Sequence, residues 1–473
     1  MSEPKKIDRR KFIYAGLGAV ALVAIGAAAY FAMKPPVVTQ PTTVVTTVTQ
    51  PTTTVVTTST SPSYVYITPF PTENITIKFF EPSGAASPVT DIVNKKLNDK
   101  YMALHPNIKL DYNPTPFGVL YNQITTMYMA GEAPDVFCNH GIWYFGLAKM
   151  GVSRALEDFL TPEMLEDCRK YYFDEIFWDY SWKGKHYSIP RVSGPHCLIY
   201  NPKLFEQFKV DRPPKDFKEM YEIAKQCTDR EKGIVGFAYA NDLAAVDRIV
   251  YFAYIVKNWA DVDLVDWSDP LNPKPNAKDP VVAECIEWLA KTLADAGPPN
   301  VTTLTLAQMQ TLFGTEKAAM VLEGQYFNQW MLGIAPRLKF TGSPYPSNLT
   351  NKWYAGQDPT HWWTVSTHCK HPLVAYDFIR WYTNPENDWE VATTTGWYPV
   401  SRVNRAKHNP VWPHHDIFNK PECKFYTTRW LPGTEGARIG CELMNEVFLG
   451  KKTGKEFANS LQEKLEAIWP KYL

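Results

Sequence analysis

Between Pro35 and Thr72 the chain holds no charged residue, and threonine, proline and valine dominate it. A segment of that composition buries too little apolar surface to offset the entropy of folding, and its prolines and β-branched residues keep it extended. It splits the 473 residues into a short N-terminal piece, a stalk, and a body from residue 73 onward that must supply the whole fold. Ahead of the stalk, Phe12 to Met33 form an uncharged run of 22 residues, which as a helix would span about 33 Å. Lys5, Lys6, Arg9, Arg10 and Lys11 precede the run and only Lys34 follows it before the stalk. That asymmetry keeps the N-terminus inside and sends the body outside. Residues 1–34 are therefore expected to be a signal or membrane anchor and 35–72 a disordered stalk. The body is expected on the extracellular face, or secreted if a small-residue site such as Ala27-Ala28-Ala29 is cut.

Arg9-Arg10-Lys11-Phe12-Ile13 resembles a twin-arginine export signal, with Asp8 where Ser or Thr is usual; an ordinary basic flank is the alternative reading. Thr-rich tracts with proline suit O-glycosylated stalks. Three N-glycosylation sequons begin at Asn74, Asn300 and Asn348, in keeping with export. Lys plus Arg total 49 and Asp plus Glu total 49, so no basic field is present to attract nucleic acid. The eight cysteines, at 138, 168, 197, 227, 285, 369, 423 and 441, include no Cys-x-x-Cys pair, which argues against a zinc ribbon or redox motif and favours buried free thiols.

Within the body, Ile75-Thr76-Ile77-Lys78-Phe79-Phe80 reads as a first strand, Asp91 to Leu104 as a helix stopped by His105-Pro106, and Ile108 to Tyr112 as a second strand. Leu120 to Met129 is a second helix and Asp135-Val136-Phe137 a third strand. This alternation predicts a mostly parallel sheet covered on both faces. Ligands of such sheets bind at the carboxyl ends of the strands, which places Ser83, Asn139, His140, Trp143 and Tyr144 near a site.

Three motifs then stand in order: Gly131-Glu132-Ala133-Pro134-Asp135-Val136-Phe137, Gly184-Lys185-His186-Tyr187-Ser188-Ile189-Pro190, and Tyr200-Asn201-Pro202-Lys203-Leu204-Phe205. The first is a turn before a buried strand, the second a hairpin turning at Gly184, the third a strand ending at a helix start. Further on come Lys317-Ala318-Ala319-Met320-Val321-Leu322-Glu323-Gly324-Gln325-Tyr326, then Trp363-Thr364-Val365-Ser366, then Gly396-Trp397-Tyr398-Pro399. In this order and spacing the chain resembles the extracellular solute-binding proteins of ABC importers, in the group that includes the maltodextrin-binding proteins. The Thr-rich stalk beside a hydrophobic N-terminal run is similar to archaeal surface-anchored forms.

The resemblance implies an α/β, two-lobed periplasmic-binding-protein-like fold with a ligand cleft between lobes and several interlobe crossings, near Pro195, Gly324 and Cys369. The first lobe would comprise 73–194 plus 324–368, and the second 195–323 plus 369–473. It implies capture of a small-molecule ligand, a mono- or oligosaccharide, between two hinged lobes, its delivery to the membrane permease subunits of an ABC importer, a monomeric body and no cofactor. Sugars offer hydroxyl groups and flat C–H faces, so aromatic rings and bidentate polar groups are the site candidates. By position these are Ser83, Asn139, His140 and Trp143 from the first lobe, and Arg191 and His196 at the first crossing. Tyr326 and Trp330 follow the second crossing, with Trp362, Trp397, Tyr398 and Trp430 from later segments. Glu81, Glu323 and Glu435 are candidate hydroxyl acceptors. For every ring, core packing is the competing role.

His368-Cys369-Lys370-His371 and His414-His415-Asp416 hold metal-ligand types at no standard zinc spacing. The chain has no Gly-x-Ser-x-Gly elbow, Walker loop or His-Glu-x-x-His, and no catalytic or metal residue is assigned. Two alternatives stay open on the sequence: the same fold taking a peptide, polyamine or phosphorylated polyol, and a secreted glycoside hydrolase using two of the many carboxylates.

Overall fold

The computed structural model describes residues 66–82, 88–241 and 248–473, apart from the side chains of 358–360. The hydrophobic run, the stalk, the export signal and Ser83 lie outside the described residues. Of the two compact units, Tyr64–Leu473 contains the fold. Among the described residues no helix is long and apolar enough to cross a membrane.

The strands are β1 (Ile75–Glu81), β2 (Ile108–Pro114), β3 (Val136–Asn139), β4 (Ile189–Tyr200), β5 (Val235–Phe237), β6 (Val265–Asp266), β7 (Lys274–Pro275), β8 (Ala318–Gly324), β9 (Thr341–Ser343), β10 (Trp353–Val365) and β11 (Cys423–Thr427). Apart from the β6–β7 ribbon they form one sheet in the order β2-β1-β3-β10-β4-β8-β5, with β11 beside β10 and β9 beside β4. The alternation of β1 turns Ile75, Ile77 and Phe79 into the core and leaves Thr76 exposed. In β8 all seven residues are buried, as a continuous apolar run requires when a strand is covered on both faces.

The expectation of a mostly parallel sheet holds for β2-β1-β3, where both pairings are parallel. It fails at the centre. Strands β4 and β10 are long enough to serve two strand groups; β4 runs against all of its partners, whereas β10 runs against β3 and β4 but parallel to β11. The start of β4 pairs antiparallel with β10, and its end pairs antiparallel with β8 and β9. Likewise Trp362–Val365 of β10 pair with β3, while Trp353–Gln357 pair with β11. Pro195 lies in the middle of β4, and β4 and β10 both run from one strand group to the other.

After β10 the chain first packs back against the β1 group. The helices Pro372–Tyr382 and Pro385–Thr395 sit with the β1 group. Phe378 packs on Phe79 with ring centroids 5.3 Å apart and on Tyr101 at 5.2 Å. Asp377 accepts a hydrogen bond from the Tyr101 hydroxyl at 2.9 Å. Farther along, the helix Gly433–Phe448 approaches so closely that a Cβ on Gly440 would meet Ile249 at 2.5 Å.

All eight cysteines are buried. Burial pushes Cys227 and Cys423 up to about 12, so these thiols are inert as nucleophiles near neutral pH.

Buried histidines make stability depend on pH. His414 donates from Nε2 to Gln325 Oε1 at 3.0 Å, and burial lowers it to about 4. A histidine depressed in the folded state holds fewer protons there than when unfolded. Its contribution is complete above about pH 6.5 and is lost as pH falls toward 4. Buried Glu81, Asp377 and Asp388 are raised by desolvation and have the opposite sign, so a single-residue comparison is needed. The His414→Gln variant should lose on the order of 3 kcal/mol less stability than the parent between pH 6.5 and 4. Parallel urea titrations at the two pH values check this, and identical slopes would refute the assignment.

Candidate functional site

The carboxyl ends of β1 and β3, the middle of β4 and β10, and the end of β8 bring together residues remote in sequence. Glu81 closes β1, and Asn139 closes β3 opposite Trp362. The helix Phe117–Met129 starts just after β2, and the helix Gly141–Lys149 just after β3. On the other strand group, Gly324 ends β8 opposite His196 of β4, and the helix Tyr326–Ile334 begins two residues later. Gly324 has to be glycine: a Cβ there would lie 2.9 Å from Gly194 O and from His196 Nε2.

These ends carry a continuous run of rings. Trp143 stacks on Phe117 with centroids 4.9 Å apart and planes at 22°. Phe117 meets His140 at 5.0 Å and His361 at 5.8 Å. His361 meets Trp397 at 5.2 Å, Trp397 meets Tyr326 at 5.9 Å, and Tyr326 meets His196 at 6.3 Å. His196 continues to Tyr251 at 4.5 Å. Most of these rings are buried, whereas Phe117 is 37% exposed, so the run reaches solvent at that end.

Polar groups border the rings. The Tyr251 hydroxyl donates to the Tyr326 hydroxyl at 3.3 Å. Trp397 Nε1 donates to Gln329 Oε1 at 3.2 Å, and the same amide oxygen accepts from Thr90 Oγ1. Burial holds His361 well below its ordinary value, assisted by His140 and the Arg191 charge. Its imidazole is therefore neutral at pH 7, and its Nδ1 has no hydrogen-bond partner.

Two buried ion pairs flank the run, one on each strand group. Arg191 Nη2 lies 2.8 Å from Glu81 Oε1, with side chains 1% and 0% exposed. Burial pushes the Glu81 carboxyl up, while the Arg191 charge and the Asn94 amide at 2.9 Å oppose that shift. Arg248 Nη1 lies 2.8 Å from Glu323 Oε1, 0% and 1% exposed, and its guanidinium covers the Tyr251 ring at 4.1 Å. Each arginine has its counter-ion inside the protein, so the polar rim presents paired charge rather than a free cation or anion.

The sequence candidates divide accordingly. His140, Trp143, His196, Tyr326 and Trp397 join the ring run, and Arg191 and Glu323 belong to its flanking pairs. Asn139 lies beside it, accepting from His140 N at 2.8 Å and donating to Ser188 Oγ at 3.3 Å. Trp330 lies half-buried one turn beyond Tyr326, packed on the core.

Four candidates lie elsewhere. Trp362 is core: Nε1 donates to Ile176 O at 2.9 Å and its ring packs on Tyr180 at 4.3 Å. Tyr398 is turned inward, donating to Asn419 Oδ1 at 2.7 Å among Phe418 and Phe425. Trp430 Nε1 donates to Gly433 O at 3.0 Å. Glu435 is a surface residue in the first turn of its helix, paired with Lys471 at 2.8 Å, which lowers its pKa. That is the usual place for an acid at a positive helix end.

Sequence reasoning missed Phe117, His361, Tyr251 and Arg248. Strand alternation would have weighed His361 against Trp362, but β10 shifts register between Asp358 and His361 and again before Trp362. A bulge breaks the two-residue parity. Of the His clusters, His368 stacks on Tyr128 at 4.6 Å and His414 is engaged with Gln325. Among the described residues no three potential metal ligands converge.

The geometry can now be set beside known proteins. The chain is 24% identical over 317 residues to the maltotriose-binding protein of Pyrococcus abyssi, covering 65% of this chain and 63% of that protein's length. The ABC substrate-binding protein of Listeria monocytogenes in complex with cycloalternan superposes with a TM-score of 0.70 at 15% identity, over 84% of this chain and all of that one. The maltose/maltodextrin-binding domain MalE of Bdellovibrio bacteriovorus bound to maltotriose gives 0.66 at 18% identity, over 84% and 100%. The shared fold is the two-lobed α/β binding-protein architecture. The model of the bacterial extracellular solute-binding protein family matches residues 86–389, and the chain belongs to that family.

Proposed function

We propose that the body captures a neutral carbohydrate between two lobes and presents it to the membrane permease of an ABC importer. The lobes are built on the two strand groups, with β4 and β10 as the crossing strands and Pro372–Thr395 belonging to the first. The observation behind this reading is the run of rings from Trp143 to Tyr251, bordered by Arg–Glu pairs already neutralised within the protein. Flat rings suit the C–H faces of a pyranose, and amide, imidazole and hydroxyl groups suit its oxygens. A phosphorylated polyol would call for an uncommitted arginine, and a polyamine for unpaired carboxylates. Arg191, Arg248, Glu81 and Glu323 are committed to each other. Sugars are the ligands in several structures of fold relatives, with glycerophosphocholine in one, so the relatives favour a sugar by number. No bond is broken; closure around the ligand makes the surface that the permease reads. Residues 12–33 would hold the protein at the membrane and 35–72 would space the body from it.

Native mass spectrometry with a panel of mono- and oligosaccharides, spermidine and glycerol phosphate tests the reading. The expected result is one-to-one binding of an unaltered neutral sugar. Binding of only the charged solutes would refute it, and a shortened sugar would replace it with a hydrolase.

A further inference from the structure

The helices Pro88–Leu104 and Tyr326–Ile334 follow the carboxyl ends of β1 and β8, one on each strand group. Their first turns meet on the side of the sheet that carries the ring run. Thr90, the third residue of its helix, donates from Oγ1 to Oε1 of Gln329, the fourth residue of the other. The same oxygen accepts from Trp397 Nε1 at 3.2 Å. The neighbouring side chain, Asn328, donates from Nδ2 to Gly396 O at 2.8 Å. Two consecutive amides of one helix therefore grip two places on the β1 group: the start of the helix Pro88–Leu104, and the turn after the helix Pro385–Thr395.

Thr90, Asn328, Gln329 and Trp397 are all buried, so their hydrogen bonds form in a water-poor seam where an unmade bond is costly. The Thr90–Gln329 bond joins side chains alone. It can break and re-form while the backbone of β4 and β10, which runs through both strand groups, stays intact. The seam is also coupled to the ring run. Gln329 stands one helical turn beyond Tyr326, and its amide oxygen holds the indole of Trp397, whose ring lies 5.9 Å from that of Tyr326. Parting the two helices would carry Tyr326 away from the β1 group and strand the Thr90 hydroxyl's bond. A device that closes on a ligand needs such a two-state contact beside its site.

We propose that Gln329 is a positioning residue that latches the two strand groups together through Thr90 while it orients Trp397, and that a bound sugar leaves after this latch opens. The latch rests on the reading of the strand groups as lobes that close on a sugar. Thr90→Val removes the donor between the helices and leaves the Gln329–Trp397 bond; Thr90→Ser keeps the hydroxyl. With the full-length chain loaded with the tightest sugar of the panel, stopped-flow fluorescence on dilution should show release about tenfold faster from T90V, and close to the parent rate from T90S. Urea midpoints confirm that both variants are folded. Equal release from T90V and the parent, or release from T90S as fast as from T90V, would overturn the latch. Amide hydrogen exchange of the ligand-free full-length chain gives a second readout: the helix Tyr326–Ile334 should exchange faster in T90V than in the parent or T90S. If no sugar of the panel binds the parent, the sugar reading fails, and this comparison decides the latch by itself, equal exchange in T90V and the parent overturning it.

Discussion

Replacing Arg191 with methionine should destabilise the protein by about 3–5 kcal/mol, the usual cost of stranding one member of a buried ion pair. The guanidinium is enclosed by the Glu81 carboxylate at 2.8 Å, by the Trp363 and Tyr382 rings at 5.3 and 5.7 Å, and by Asn94 Oδ1 at 3.4 Å. Methionine fills much of the volume but leaves Glu81 without its counter-ion, where desolvation already opposes its charge. Stability is the first readout, from urea midpoints. The double variant with Glu81→Gln removes the stranded charge and should recover most of the loss, to within about 2 kcal/mol of the parent. If the double variant falls as far as the single one, packing rather than charge explains the position.

Asp388→Ala should cost a comparable amount, about 3–4 kcal/mol, because one carboxylate satisfies four donors. Its oxygens accept from Val400 N at 2.9 Å, Ser401 N at 3.2 Å, Ser401 Oγ at 2.6 Å and Asn404 Nδ2 at 2.8 Å. All of these groups are buried, so the change would leave orphaned donors rather than solvated ones. The same carboxylate fixes the turn that presents Trp397. That turn starts at Gly396, with φ +80° and a hypothetical Cβ 2.4 Å from Asn328 Cβ, and it is clipped to β4 by Ser193 and Tyr398 backbone bonds of 3.0 and 2.9 Å. Ligand affinity should fall with stability. Asp388→Asn, which keeps two acceptor lone pairs, should lose less on both measures. Equal losses in the two variants would mean that volume, not hydrogen bonding, holds the turn.

The sequence made local elements legible and long-range choices much less so. Helix and strand periodicity located β1, β2 and the helix ending at Leu104 within a few residues, since each is decided by neighbours in the chain. Asn201 caps its helix, as the Asn-Pro pair predicted, accepting from Lys203 N at 3.0 Å. The turn at Gly184 formed as read, with Lys183 and Gly184 both at positive φ, although its flanks make only a single bridge, Trp182 with Lys185. The antiparallel course of β4 and β10 was hidden because a buried strand reads alike in either direction. Ring candidates fared by location. Those at strand ends, Trp143 and Tyr326, reached the run. Trp362 lost its place to His361 through a bulge, and Tyr398 and Trp430 were claimed by carbonyl and amide partners nearer in sequence. Arg248 could have been suspected from its place before the apolar run Ile249–Val256, but its partner Glu323 is 75 residues away and no local pattern pairs them.

The central claim is that the ring run binds the sugar, and Tyr326 is the ring through which the two strand groups meet. Its most direct test is the affinity of the full-length chain and of Tyr326→Ala for the tightest sugar of the panel, by intrinsic fluorescence titration. The expected result is a loss of about 2 kcal/mol, about thirtyfold in Kd, measured under conditions where the urea midpoint shows the variant still folded despite the stability lost with a buried ring. An unchanged Kd would contradict the assignment of the site.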